Sequence, residues 1–188
     1  MQPTGLQPTH QQTPTEIERA AFRELHADRL YGFALLLTLG DRALAARLAT
    51  DALTAGSAQL DRLRHPERAA TWLRSCVVRG ARRPTGAGPR VDVRMRSLSA
   101  LGADGAVVTG LGALRRVERA AFIAYNIERL DWRDVAGIID RDGQKLERML
   151  ERARRMYVDA HARASHGSAP GGGPLADRIR DITARAMG

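Results

Sequence analysis

The sequence predicts an all-α fold of two small helical domains joined by a flexible linker, the second with a helix-turn-helix. Hydrophobic residues make up 44% of the 188 residues but aromatic residues only 4%, so a core would consist mainly of Leu, Ala, Val and Ile. Apolar residues recur every three to five positions, which is the spacing of one helix face. Strand-like patterns are limited to two short valine pairs, Val91 with Val93 and Val107 with Val108.

Composition divides the chain into five segments. Residues 1–15 are rich in Gln, Thr and Pro and are predicted to be disordered. Residues 84–110 are rich in Gly, Pro and small side chains, which predicts a linker between helical domains at 16–83 and 111–165. Residues 166–188 are predicted to form a second flexible linker and a short amphipathic tail helix. The apolar face of that helix carries Leu175, Ile179, Ile182 and Ala186.

The first domain is predicted to contain three helices. The first has apolar residues at 22, 25, 30, 33 and 37 and would end at Gly40, because glycine readily takes the left-handed backbone that follows many helices. Asp41 would cap the second helix, whose stripe of Leu and Ala continues to Ala55. His65 and Pro66 would open the third helix, since proline is well tolerated in a first helical turn.

The second domain is also predicted to contain three helices. The first follows the stripe from Leu114 to Tyr125, and the second is short and begins near Asp131, where carboxylates suit free backbone amides. Asp140 would make the turn into a long third helix, because Asp tolerates a left-handed backbone better than most residues. The last pair predicts a helix-turn-helix, with Ala136 at the close crossing. A generic helical hairpin would share this apolar spacing.

The chain is strongly basic, with 30 Lys and Arg against 21 Asp and Glu and a formal charge of +9. Lys145 is the one lysine, so the other 29 basic residues are arginines, which bind phosphate or carboxylate through a fork of donors. Six arginines and one aspartate lie within residues 79–96, a net charge of +5. This arm would suit a nucleic-acid backbone. One alternative is that the arm is only a solubilising linker. Another is that the high arginine content reflects the composition of the genome.

Several classes of protein are excluded by what the sequence lacks. No apolar run reaches the roughly eighteen residues of a membrane span, and no cation precedes Arg19 as a signal peptide would require. The single cysteine, Cys76, allows neither an internal disulfide nor a CxxC zinc site, so we expect a cytoplasmic protein. The five histidines form no HExxH pair. We therefore expect no metal, no cofactor and no enzymatic activity.

Both predicted domains are similar to parts of one known family. The first resembles region two of the sigma-70 family in LYGFALLLTLGDRALAARLATDAL and LDRLRHPERAATWLRSCVVRGARR. The second resembles region four in LGALRRVERAAFIAYNIERLDWRDVAGII and LERARR. The resemblance covers about residues 16–83 and 111–157. It is to the extracytoplasmic-function type, the small two-domain sigma factors of bacterial RNA polymerase.

The resemblance implies a sigma factor that binds RNA polymerase core and promoter DNA and directs transcription initiation. Region two would dock on the largest polymerase subunit and help to open the promoter, and region four would bind the upstream promoter element and the flap of the other large subunit. An anti-sigma factor is a further partner that the resemblance leaves open. The implied DNA-binding residues are Arg74, Arg79, Arg82, Arg83, Arg133, Gln144, Lys145, Arg148 and Arg152. The implied polymerase-binding residues are Arg47, Leu48 and Asp51.

The alternative is a divergent sigma-like regulatory protein that acts by protein–protein interaction without promoter opening. Ala46 and Arg47 stand where the family usually has an acidic pair on the helix that meets the polymerase. Residues 142–152 contain three cations and three carboxylates, two of which are Glu147 and Glu151. Since affinity for DNA comes largely from neutralising phosphates, a nearly neutral recognition helix favours this alternative.

Overall fold

The computed structural model describes residues 15–63, 65–81, 91–99 and 101–165, and every regular element in these residues is helical. The predicted all-α class is therefore confirmed for this part of the chain. Residues 1–14, 82–90 and 166–188 lie outside the described residues, and with them the predicted disordered N-terminus, part of the linker and the predicted tail helix. The eight described α-helices are α1 (Glu16–Leu37), α2 (Arg42–Ser57), α3 (Pro66–Gly80), α4 (Val91–Ser99), α5 (Gly105–Gly112), α6 (Arg116–Phe122), α7 (Trp132–Ile139) and α8 (Gly143–Ser165).

Side-chain caps set the beginnings of the first two helices. Thr15 caps α1 through a reciprocal pair of hydrogen bonds with Glu18, so the prediction of disorder fails at this one described residue of segment 1–15. Asp41 caps α2 as predicted, accepting a hydrogen bond from the Leu44 amide over 3.0 Å. The predicted stop at Gly40 is also confirmed, because α1 ends at Leu37 and Gly40 has a φ of 83°.

The predicted linker is wrong over its described residues, which contain α4 and α5. Asp104 caps α5 by accepting from the Val107 amide over 2.8 Å, and α5 packs along α8. The two helices approach each other closely at Gly110, since a Cβ there would lie 2.7 Å from Cε2 of Tyr157. The glycine that reads as a linker signal in the sequence is thus a packing position that allows two helices to meet closely.

A π-helical turn, Ile123–Ile127, continues α6 and closes with a hydrogen bond from the Glu128 amide to the Ile123 carbonyl over 2.9 Å. The wider turn carries the chain to Arg129, which has a left-handed backbone with φ of 58°. The π-helical turn therefore places Glu128 directly after it, where the carboxylate reaches Arg74 of α3.

The helices form a first block (α1–α3) and a second block (α5–α8) that pack against each other. α3 lies on α7, and α1 contacts α6 and the π-helical turn. Buried side chains of both blocks, such as Leu73 in α3 and Val135 in α7, belong to one continuous hydrophobic cluster. The described residues thus do not show two separate cores. Their helices also include none that is both long and apolar enough to cross a membrane.

Candidate functional site

The helical hairpin of α7 and α8 is the element that the sequence analysis singled out. Asp140 follows α7 with φ of 55° and ψ of 59°, so the predicted left-handed turn residue is confirmed. The Arg141 amide donates to the Ala136 carbonyl over 3.2 Å and closes the turn. Asp142 then accepts from the Lys145 amide over 3.0 Å at the first turn of α8. The Asp140 amide also donates to the Ala136 carbonyl, and the Asp142 carbonyl accepts from the Leu146 amide, so local hydrogen bonds hold the three residues between the helices.

The exposed side of α8 separates its charges into two neighbouring faces. Gln144, Arg148 and Arg152 follow one another at intervals of four residues and therefore form one stripe along the helix. Glu147 and Glu151 form a second stripe, which lines a groove of about 500 Å³ beside the rings of Tyr125 and Trp132. The charge of 142–152 sums to zero, and the two stripes are adjacent rows, because Glu147 and Glu151 lie three residues from Gln144 and Arg148. We call Gln144, Arg148 and Arg152 the α8 basic stripe.

Salt bridges hold two of the predicted DNA-binding side chains on α8. The Lys145 ammonium lies 2.7 Å from Oδ2 of Asp142, and this hydrogen bond lowers the pKa of the Asp142 carboxyl. Arg152 donates to Oε1 of Glu118, with Nε at 3.0 Å. The Glu118 side chain is only 4% exposed, so Arg152 neutralises a buried carboxylate of α6. In this arrangement Arg152 has a structural role although its side chain is 56% exposed, and Gln144 and Arg148 are exposed as well.

Arg74 lies inside the molecule, so the prediction that it faces DNA is wrong for this arrangement. Its Nε donates to Oε2 of Glu128 over 2.6 Å and Nη2 donates to Oε1 over 3.0 Å. Its Nη1 donates to the Ala70 carbonyl, and its guanidinium lies 5.7 Å from the centre of the Phe33 ring. The reason for the error is that Arg74 flanks the apolar stripe of α3 on the side that the second block covers. The pattern of α3 alone gives no sign of that contact.

The remaining predicted DNA-binding residues are spread over the surface. Arg79 is exposed at the end of α3 and donates to Ser75 Oγ over 2.9 Å and to Cys76 Sγ over 3.1 Å. Arg133 is exposed in the first turn of α7. The other two, Arg82 and Arg83, lie outside the described residues. Burial raises the pKa of the Cys76 thiol, and the guanidinium beside it offsets this only in part.

The predicted polymerase-binding residues divide between the surface and the core. Arg47 and Asp51 are exposed on α2. Leu48 is only 5% exposed and packs so closely on α3 that a Cβ at Gly80 would lie 2.8 Å from its Cδ2. The prediction that Leu48 contacts a partner is therefore wrong for this arrangement, because the helix turns it into the core while its neighbours face out.

Arg119 has a structural role that its sequence pattern does not indicate. Its guanidinium donates to the carbonyls of Leu111, Leu114 and Leu37 over 2.7, 2.8 and 2.9 Å, and so joins α5, α6 and the end of α1. Burial, followed by repulsion from Arg116 and Arg94, lowers the pKa of Arg119 to about 10. No signal distinguishes this arginine in the sequence, because 28 others share its residue type.

The described residues contain no group of three or more His, Cys, Asp or Glu side chains arranged to hold a metal ion. Comparison with known proteins adds no relative: no model of a protein family matches the chain, and neither a curated protein nor a solved structure is significantly similar to it.

Proposed function

We propose that the protein is a sigma factor that binds RNA polymerase core and promoter DNA and directs transcription initiation. The proposal is supported by the resemblance of both halves of the sequence to regions two and four of that family. It is also supported by the helical hairpin of α7, the turn at Asp140 and α8, which we propose is a DNA-binding helix-turn-helix. A recognition helix reads DNA through side chains on its exposed face near its N-terminus.

The observation that carries the proposal is the α8 basic stripe. Gln144 and Arg148 stand in the first two turns of α8, where both are exposed, and Glu147 and Glu151 follow the adjacent row beside the groove. Leu146 and Leu150 are buried and α8 contacts α6 and α7, so the exposed side chains are presented from a helix that is packed on the rest of the second block. Arginine forks and glutamine amides are the groups that form paired hydrogen bonds with guanine and adenine.

Run-off transcription with bacterial RNA polymerase core tests the proposal. The purified chain and core are incubated with fragments of bacterial genomic DNA, and transcript ends are mapped. The proposal expects discrete start sites that depend on adding the chain. Core alone and chain alone serve as controls. If no chain-dependent start site is found although core binds the chain, the protein is not an initiation factor.

The variant Arg148→Ala tests whether the α8 basic stripe contacts DNA. Loss of one specific contact is worth about 1–3 kcal/mol, which is about a five- to 150-fold loss of affinity for the mapped promoter. If Arg148 contacts a phosphate instead, the slope of log K for DNA binding against the logarithm of the salt concentration should become less steep by about 0.9 in the variant. Arg163→Ala, an exposed arginine in the last turn of the same helix, is the matched control and should leave both quantities unchanged. Equal effects of the two variants would contradict this placement of the DNA.

A second function is favoured by the burial of Arg74 and Leu48. The alternative is a sigma-like regulatory protein that acts by protein–protein interaction without opening promoters. In the arrangement described above, one residue expected at DNA and one expected at polymerase are both enclosed. Stoichiometric binding to core without discrete start sites would support this alternative over the first proposal.

A further inference from the structure

A groove of about 500 Å³ lies where the π-helical turn and the beginning of α7 face the first half of α8, and we call it the aromatic groove. The rings of Tyr125 and Trp132 line it with their planes at 86° to each other and their centres 6.0 Å apart, so together they form a corner. Leu150, which is only 7% exposed, adds an apolar side chain. Clefts of this size with aromatic walls are typical of small-molecule sites.

Both aromatic residues of the groove are accessible to a ligand. The sequence pattern puts Tyr125 on an inward apolar stripe, but the residue lies in the π-helical turn Ile123–Ile127 and is 40% exposed. A π-helical turn is wider than an α-helical turn, so its side chains depart from the α-helical spacing, and such turns are frequent at functional sites. Gly143 leaves the edge of the indole open, since a Cβ there would lie 3.3 Å from Nε1 of Trp132.

The charges that line the aromatic groove favour a cation. Glu147 and Glu151 line it, and Arg154 is the one basic residue among the described residues that do so, which leaves a net charge of −1 from two carboxylates and one guanidinium. Glu147 has no hydrogen bond or ion pair with any described residue, and Glu151 has an exposed pair with Arg155 at 3.9 Å. Arg154 follows Glu147 by seven residues, about 10 Å along the helix axis, whereas Gly143 beside the indole is one turn away. The unpaired carboxylate is therefore at the aromatic end of the groove.

We propose that the aromatic groove binds a small organic cation whose nitrogen carries methyl groups, such as a trimethylammonium compound. The faces of aromatic rings attract cations, and quaternary ammonium ions are cations that aromatic walls commonly bind. The methyl groups contact the two rings and Leu150, and the carboxylate of Glu147 balances the charge. A primary ammonium is disfavoured, because its three N–H donors would exchange water for aromatic walls. This inference does not depend on the proposed role in transcription.

Calorimetric titration of the full chain with choline, at constant ionic strength, tests the proposal. Choline should bind at one site for each chain with a Kd of about 1 mM or tighter. The alcohol 3,3-dimethylbutan-1-ol has the same shape without the charge, and ethanolamine has the charge without the methyl groups. Each should bind about fivefold more weakly than choline, or more weakly still. The proposal is overturned if choline shows no saturable binding at about 20 mM, or if either of the other compounds binds as tightly.

Variants of two exposed residues locate the bound cation. Glu147→Gln removes the unpaired carboxylate and Tyr125→Leu removes one ring, and each should weaken choline binding by about fivefold. Tyr125→Phe keeps the ring face and should bind choline within about twofold of the unmodified chain. Glu24→Gln, at an exposed carboxylate of α1 outside the groove, is the matched control for the charge and should bind choline normally. If Glu147→Gln binds choline as tightly as Glu24→Gln does, the cation is not in this groove.

Discussion

The ion pair between Arg74 and Glu128 is a buried polar contact that joins the two blocks. Its side chains are only 6% and 8% exposed, and both oxygens of the carboxylate are engaged. Taking two charges out of water is costly, and their attraction repays that cost only when the geometry is good. Removing one member leaves the other buried and unpaired, whereas removing both leaves no charge behind.

We predict that Arg74→Ala and Glu128→Ala each destabilise the protein by about 3–5 kcal/mol. The double variant Arg74→Met with Glu128→Leu should recover most of this loss, because it replaces the buried pair by apolar side chains of similar volume. Urea unfolding measures all three. The control is Arg96→Ala, which breaks an exposed pair with Asp92 and should cost less than about 0.5 kcal/mol. A loss of that small size for Arg74→Ala would contradict the burial of the pair.

We also predict a dependence of stability on pH that His26 causes. Because its folded-state pKa is lowered from 6.5, the unfolded chain binds more protons than the folded chain below about pH 6.5. Stability should therefore fall as the pH decreases through this region, by at most about 1.4 kcal/mol for each pH unit. Thermal unfolding between about pH 7 and pH 5, above the range in which carboxylates titrate, measures the effect.

His26→Gln should reduce this pH dependence, since glutamine does not titrate. His65→Gln is the matched control, because His65 is exposed at the N-cap of α3 and its replacement should leave the dependence unchanged. The assignment to His26 fails if the two variants behave alike.

The turn between α7 and α8 determines how the proposed recognition helix is presented. Its geometry depends on Asp140, whose left-handed backbone suits glycine better than any other residue. Aspartate tolerates this conformation at a modest cost, and a β-branched residue tolerates it poorly. The element is thus slightly strained at a position where its sequence departs from the usual glycine.

We predict that Asp140→Gly stabilises the protein by up to about 1 kcal/mol, because it relieves the strain without removing a buried contact. Asp140→Val should destabilise it by about 1–2 kcal/mol. Thermal unfolding compares both with the unmodified chain. Neither change should alter the contacts of Arg148, so specific DNA binding measured well below the melting temperature should be unchanged. A destabilised Asp140→Gly variant would contradict the prediction, because the entropy that glycine adds to the unfolded chain would then outweigh the relief of strain.

How well the sequence predicted each element depended on how local its determinants are. The caps at Asp41 and Asp131 and the turn at Asp140 depend on neighbouring residues and were predicted correctly. α4 and α5 were missed because small residues indicate either a loop or close helix packing, and only the partner helix decides between them. The burial of Arg74 was missed for the same reason, since its partner lies 54 residues away in sequence.

At the scale of the whole molecule, the two predicted domains share one hydrophobic cluster. Charged side chains cross their boundary as well, through Arg74 to Glu128 and through Arg119 to the Leu37 carbonyl. The proposed function has the two halves bind polymerase and two parts of a promoter. The packed arrangement covers Arg74, and the α8 basic stripe stays exposed. Contact with DNA is therefore expected to begin at α8.

Direct binding of the purified chain to bacterial RNA polymerase core tests the proposed function most directly. Sedimentation velocity is measured with fluorescently labelled chain and increasing core, at a salt concentration close to physiological. We predict a complex of one chain with one core and a Kd of about 1 µM or tighter. The absence of a complex at about 10 µM core would contradict the assignment to the sigma factors, although the helical fold would stand.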